Sequence, residues 1–217
     1  MTTETTAQAW RRRVELDGPV DFTMMYVAHD AFRRDLARLA QAIDAGRPLD
    51  IDTRATWSMF NRQLHIHHET EDASLWPRLR NGQIGLADLD LLTTMRAEHR
   101  RLDPLLRHVD ASFARDEPDG PALHELRTVL DEHMRHEETE ALPLIARTIG
   151  PEGWAGFSRD IREAVGGMRA GAAYLPWVLD GAPEPARRAV LKVLPPPARL
   201  LCRLRWEPRY ARSPHLR

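Results

Sequence analysis

The chain has 217 residues, with 31 Lys or Arg against 32 Asp or Glu and a formal net charge of −1. This length allows one substantial core, and the ordinary apolar and high charged fractions are typical of a globular helical protein. The single cysteine, Cys202, excludes an internal disulfide framework, and no apolar run approaches the length of a membrane span.

Residues 1–19 form a polar segment that we expect to be poorly ordered. The segment lacks the apolar stretch of a secretory signal peptide. Together with the single cysteine, this indicates a protein of the reducing cytoplasm.

Four long helices are predicted between residues 20 and 149, because apolar residues recur there at spacings of three and four. Asp21 and Asp119 are the expected N-caps of the first and the fourth, and glycine is expected to end both. Pro104 lies inside the third helix and should bend it, because proline removes a backbone donor. The predicted ranges are 21–44, 53–79, 86–114 and 121–148.

Each of these helices carries a histidine in its apolar stripe. His29 and His99 stand alone, whereas His67 and His133 are each followed four residues later by a glutamate. Residues four apart lie above one another on one helix face, so each pair directs an imidazole and a carboxylate to one place. The pairs are His67 with Glu71 and His133 with Glu137.

The two paired segments are also an internal repeat, 66 residues apart. HHETEDASLWPRL begins at His67 and HMRHEETEALPLI begins at His133, and in both a proline follows the glutamate by six residues. The single histidines precede these segments by 38 and 34 residues. The sequence therefore predicts two copies of one helical hairpin.

A bound metal is the physical explanation that we favour for these positions. One buried histidine is more often a satisfied core residue than a ligand, but four at core positions change the odds. A buried carboxylate costs several kcal/mol, in order of magnitude, unless it is paired, and no Arg or Lys stands at a matching core position. Mixed nitrogen and oxygen ligands favour iron or manganese over calcium or magnesium, and zinc is compatible.

Other metal and catalytic motifs are absent from the sequence. There is no HExxH zinc motif, no Glu-x-x-His pair of the ferritin type and no cysteine cluster. A glycine-rich phosphate loop and a GxSxG nucleophile elbow are missing as well.

The ordered set of motifs resembles the hemerythrin-like family of HHE cation-binding domains, over residues 20–149. The matching pieces are His29, HHETED with the following WP, EHRRL around His99, and HMRHEETE with the following LP. The resemblance implies an all-α, up-down-up-down four-helix bundle around two iron ions, with manganese or zinc as alternatives. The ligands that it implies are His29, His67, Glu71, His99, His133 and Glu137.

The chain departs from the oxygen-carrying members of that family on two helices. On the fourth helix they space a histidine and an aspartate by five residues, whereas His133 and Glu137 are four apart. Those members also have a second histidine on the third helix, where this chain has Asp103. We therefore expect one nitrogen ligand to be lost or replaced by oxygen. His68 and His136 are rotated off the ligand face, and we expect them to form surface pairs or to orient the ligands.

Residues 150–217 are predicted to be a C-terminal extension of short helices, rich in Gly and Pro. Residues 181–217 hold nine Arg or Lys and two Glu, a net +7, which leaves −8 for the rest of the chain. We expect this basic part to pack on the acidic bundle, the alternative being a partner surface. The extension could cap the bundle, cover a substrate entrance or form a homodimer contact.

The resemblance implies a non-haem di-iron protein that binds or reduces dioxygen or a related small oxidant, such as peroxide or nitric oxide, with an unknown electron donor. Glu71 and Glu137 would bridge the ions, with His29 and His67 on one side and His99 and His133 on the other. Two alternatives stay open. One is an oxygen or iron sensor that signals through the extension, and the other is an oxygenase with an organic substrate, which needs a cavity beside the metals. A nucleic-acid partner is not expected, and the sequence does not decide whether the protein is an enzyme.

Overall fold

The computed structural model describes residues 6–15 and 18–217. All regular elements in this part of the chain are helical. A short N-terminal helix, Thr6–Glu15, precedes four long bundle helices. The first bundle helix is Thr23–Asp44 and the third is Leu86–Ala114. The second bundle helix spans residues 51–80 and consists of three consecutive segments, Ile51–Thr70, Glu71–Leu75 and Trp76–Arg80. The fourth spans residues 120–148 and consists of Gly120–His136, Glu137–Ala141 and Leu142–Thr148.

Four further helical stretches form the C-terminal extension. The first three are Gly150–Val165, Gly167–Leu179 and Glu184–Val193. The last, residues 196–210, joins Pro196–Leu201, Cys202–Trp206 and Glu207–Tyr210. Within the described residues, no helix is both long and apolar enough to cross a membrane.

Side-chain caps mark the start of the second and fourth bundle helices. Asp119 accepts a hydrogen bond from the amide of Ala122, as predicted for an N-cap. The prediction for Asp21 was wrong, because Phe22 occupies the N-cap position of the first bundle helix; Asp21 precedes it and accepts a hydrogen bond from the amide of Thr23. The second bundle helix begins two residues before its predicted start, because Asp50 caps it through the amide of Thr53.

The first bundle helix packs against the second and the fourth, and the third packs against the fourth and the second. This arrangement is the predicted up-down-up-down bundle. Its core contains Phe32 and Phe60, whose rings meet edge to face with centroids 5.9 Å apart. Completely buried leucines surround them, among them Leu64, Leu92 and Leu130. The bundle also buries polar side chains, among them the histidines and glutamates of the repeated motif.

The second and fourth bundle helices both widen by one residue at the repeated motif. The wide turns are Glu71–Leu75 and Glu137–Ala141, and the amide of Trp76 donates to the carbonyl of Glu71, five residues earlier. A proline follows each motif glutamate by six residues. Because a proline ring clashes with the carbonyl four residues before it, a wider turn relieves the helix there. The repeated prolines thus explain two π-helical turns, which are frequent at functional sites.

The N-terminal segment differs from its expected disorder. Its helix Thr6–Glu15 buries Trp10 against the ring of Tyr26, at a centroid distance of 6.1 Å. On the same helix face, Arg13 contacts Asp30 at 2.7 Å and Glu138 at 3.0 Å. A buried tryptophan and a paired arginine three residues apart fix this helix on the bundle. Residues 1–5 and 16–17 lie outside the described part of the chain.

The extension packs along the first two bundle helices. The indole of Trp177 donates to the buried carboxylate of Asp35 at 2.7 Å, and the indole of Trp154 donates to the carbonyl of Asp21 at 2.9 Å. Arg38 of the bundle pairs with Asp180 of the extension at 2.5 Å. In the described residues, no ion pair joins a basic residue of 181–217 to an acidic residue of the bundle. The basic segment packs on the first bundle helix through Glu184–Val193, while indoles and bundle arginines supply the polar contacts that hold the extension.

Candidate metal centre

All six residues that the sequence nominates are buried in the middle of the bundle. Their exposed fractions are 0% for His29, Glu71 and Glu137, and between 2% and 7% for His67, His99 and His133. Each comes from a different turn of the four helices, and each occupies a core position of its helix. The predicted inward direction of these side chains is what the structure shows.

The first group of donor atoms consists of His29, His67 and Glu137. The Nε2 atoms of His29 and His67 are 3.3 Å apart, and His29 Nε2 is 3.3 Å from Glu137 Oε2. One ligand atom from each of the three residues lies within 4.8 Å of the others. This spacing can place all three around one metal ion.

The second group consists of His68, His99 and His133, whose donor atoms also lie within 4.8 Å of one another. The imidazole of His68 stacks on that of His99, with centroids 4.1 Å apart and planes inclined by 13°. His133 meets His99 edge to face at 4.7 Å. Three imidazoles thus converge on the opposite side of the centre from His29.

His68 corrects the sequence interpretation. It is only 8% exposed, so it forms no surface pair. The prediction assumed that only one face of the second bundle helix points into the bundle. In the structure two neighbouring faces of this helix carry buried donor atoms. His67 points to the first group and His68 to the second. The adjacent pair of histidines was the sequence signal for a helix that faces two groups of donor atoms.

His136 and Asp103 do not join either group. The Nδ1 of His136 contacts Glu98 Oε1 at 2.8 Å, and the other oxygen of Glu98 contacts His133 Nδ1, so His136 acts on the centre only through Glu98. Asp103 is exposed and does not supply a replacement oxygen. The nitrogen that the third helix lacks is instead offered by His68 of the second.

Glu71 spans the two groups. Its Oε1 is 3.1 Å from His67 Nε2 and its Oε2 is 3.5 Å from His99 Nε2. A carboxylate whose two oxygens face different donor groups has the geometry of a bridging ligand. Glu137, which belongs to the first group, is buried to the same extent as Glu71.

Several buried polar atoms of the centre have no hydrogen-bond partner among the described residues, as expected for atoms that bind a cation. Within the described residues, no hydrogen bond reaches either oxygen of Glu71 or Glu137, or the Nε2 atoms of His68, His99 and His133. Burying such groups without partners costs several kcal/mol, in order of magnitude. Carboxylates and neutral imidazoles are the usual ligands of transition metals, so the residues present fit bound metal ions.

Carboxylates fix the outer nitrogen of two imidazoles. His29 Nδ1 is 2.8 Å from Glu138 and His133 Nδ1 is 2.8 Å from Glu98. His99 Nδ1 lies 3.3 Å from Asp72 without forming a hydrogen bond to it. An N–H on Nδ1 leaves the inward Nε2 free to bind metal, which is the usual arrangement behind a ligating histidine. Arg13 and Arg33 in turn hold Glu138 at 3.0 Å and 2.9 Å.

Burial and crowding shift the pKa values in opposite directions. Burial lowers the pKa of His67 to about 3, helped by the neighbouring imidazoles. Burial and the charge of Glu137 raise the pKa of Glu71 well above its ordinary value. Although burial opposes it, the imidazole of His29, whose Nε2 lies 3.3 Å from Glu137 Oε2, lowers the pKa of Glu137 to about 2. Without metal, one carboxyl of the pair therefore carries a proton more readily than the other.

A cavity of about 430 Å³ reaches the centre from outside the bundle. It lies between the first bundle helix and the extension, and His67 forms part of its wall. This is the cavity beside the metal site that an organic substrate would need.

The comparisons with known proteins agree with the geometry. No curated protein and no solved structure matches this chain. The family model of the hemerythrin HHE cation-binding domain matches residues 20–145, which cover the four bundle helices up to the end of the repeated motif. The chain therefore belongs to the hemerythrin HHE cation-binding family.

Proposed function

We propose that the protein holds two iron ions in this centre and binds or reduces dioxygen or a related small oxidant, such as peroxide or nitric oxide. The observation that carries the proposal is the position of Glu71, whose two oxygens face the two groups of nitrogen donors. A donor set that mixes imidazole with carboxylate suits iron or manganese better than calcium or magnesium, and the same residues could also bind zinc.

In this proposal His29, His67 and Glu137 hold one ion, and His68, His99 and His133 hold the other. Glu71 bridges them, together with Glu137. Bound ferrous ions would supply the electrons for the oxidant, and an external donor of unknown identity would restore them. The apolar core around the centre limits water, and Glu138 and Glu98 orient the imidazoles of His29 and His133. A reducing cytoplasm would keep the ions ferrous.

Metal loading tests the proposal. Protein that is loaded with ferrous iron under nitrogen and then desalted should retain two irons per chain and become coloured on exposure to air. Glu71→Ala should lose two-iron loading, whereas the exposed control Asp103→Ala should keep it. Two irons per chain in Glu71→Ala would refute the bridging role. If wild-type protein with iron consumes no peroxide in steady state, the reductive role is contradicted.

The cavity favours a second candidate function, an oxygenase with an organic substrate. Among the alternatives from the sequence, it is the one for which the structure offers a specific feature. The division into residues 1–19, 20–149 and 150–217 stays a prediction, and in this candidate the extension would form the roof of the substrate site.

A further inference from the structure

The walls of the cavity come from two parts of the chain. The first bundle helix contributes Met25 and Ala28, and the extension contributes aromatic and aliphatic side chains such as Trp154, Phe157 and Leu175. Protein interiors are otherwise packed to high density with few voids. A volume of about 430 Å³ is in the range of small-molecule sites, which are commonly about 300–1,000 Å³. The volume and the lining suit a small apolar molecule.

One cationic side chain lies in this apolar wall. Arg162 is exposed, so the cavity meets solvent beside it, and it forms no ion pair with any described residue. None of the described wall residues is Asp or Glu. The unpaired guanidinium therefore favours an anionic group at the mouth, and carboxylate matches its planar fork of donors.

A phenol inside the cavity adds a second polar group. Tyr174 lines the wall, and its hydroxyl has no hydrogen-bond partner in the described part of the chain. Burial raises the pKa of this phenol, so it stays a hydrogen-bond donor at neutral pH. Apolar walls with a few polar groups that fix orientation are the usual composition of a ligand site.

We propose that this cavity binds an apolar carboxylic acid, whose hydrocarbon part packs between the first bundle helix and the extension and whose carboxylate pairs with Arg162. His67 lines both this cavity and the metal centre. The other candidate metal ligands do not line the cavity. Binding itself does not require the metals, although a role of the ligand as substrate would rest on the proposed function.

Dodecanoate is a suitable probe, with dodecan-1-ol as its neutral counterpart. Wild-type full-length protein, with and without iron, should bind one dodecanoate per chain in a saturable manner. Titration calorimetry measures the affinity, and tryptophan fluorescence reports contact because Trp154 and Trp206 line the cavity. The two proposals can fail separately. If the protein binds dodecanoate in a saturable manner but does not take up iron, the ligand site is supported and the proposed function is rejected.

Two variants test the position of the ligand. A Cβ at Gly171 meets no atom within 4 Å, and Gly171 lines the cavity, so Gly171→Leu should fill it and weaken dodecanoate binding at least about tenfold. Arg162→Gln should weaken dodecanoate about fivefold and leave dodecan-1-ol unchanged. Ala164→Leu, on an exposed position of the same helix as Arg162, is the matched control and should bind like wild type.

The opposite results would overturn the proposal. Absence of saturable dodecanoate binding, or wild-type affinity in Gly171→Leu, would remove the cavity as the site. Equal loss of the acid and the alcohol in Arg162→Gln, or loss of neither, would reject a carboxylate partner for Arg162.

Discussion

Replacement of His68 by leucine separates the metal role of this residue from a packing role. Among the described residues, the Nε2 of His68 is buried and has no hydrogen-bond partner. An unsatisfied buried polar group costs about 1–3 kcal/mol. His68→Leu should therefore leave the free energy of unfolding of metal-free protein unchanged or raise it by up to about that amount.

The same substitution should have the opposite effect on the metal-loaded protein. His68 is one of three nitrogens in its group, so its loss removes a direct ligand. Groups that only orient a ligand typically cost 10–100-fold in affinity when removed. Loss of a direct ligand should weaken the second ion by more than about 100-fold, or more than about 2.7 kcal/mol.

Urea unfolding with chelator and with ferrous iron under nitrogen, combined with metal analysis, measures both effects. His136→Leu is the matched control, because His136 contacts the centre only through Glu98. The control should retain two irons per chain. If His68→Leu also binds two irons with unchanged affinity, or if it destabilises the metal-free protein by several kcal/mol, His68 is a packing residue and the reasoning is refuted.

Three further predictions concern the surroundings of the centre. Glu138→Gln should weaken iron binding about 10–100-fold without changing the stoichiometry; unchanged affinity by calorimetry would contradict its orienting role. Because burial lowers the pKa of His67 to about 3, metal-free protein should lose stability as pH falls from 6.5 to 3, and His67→Leu should flatten this slope in urea titrations. Trp177→Phe should cost about 1.5–3 kcal/mol, since it removes a hydrogen bond to buried Asp35; an unchanged urea midpoint would argue against this docking contact.

The bundle helices were predictable because their signals are local. Apolar spacing gave the inward face, and Asp119 gave the start of the fourth helix by its side-chain cap. The second helix begins two residues before its predicted start because Asp50 caps it through the amide of Thr53, three residues later, and aspartate is a preferred N-cap residue. The buried positions of the candidate ligands were predictable from the same periodicity, because each candidate ligand takes the place of an apolar residue on the inward face of its helix.

The missed features depend on contacts between distant segments. His68 is inward only because the second bundle helix lies between two donor groups, which a single helical wheel does not represent. Trp10 and Arg13 are three residues apart, a weak helical signal that gains meaning from Tyr26 and Glu138 on the bundle. The extension is held by Trp177 on Asp35, 142 residues away in sequence, and composition alone does not predict such a contact.

The most direct test of the two-metal centre is a crystal structure of iron-loaded protein with anomalous diffraction data recorded at the iron absorption edge. We expect two anomalous peaks inside the bundle, one among His29, His67 and Glu137 and one among His68, His99 and His133, with the carboxylate of Glu71 between them. A single peak, or iron found only at the protein surface, would contradict the two-ion centre.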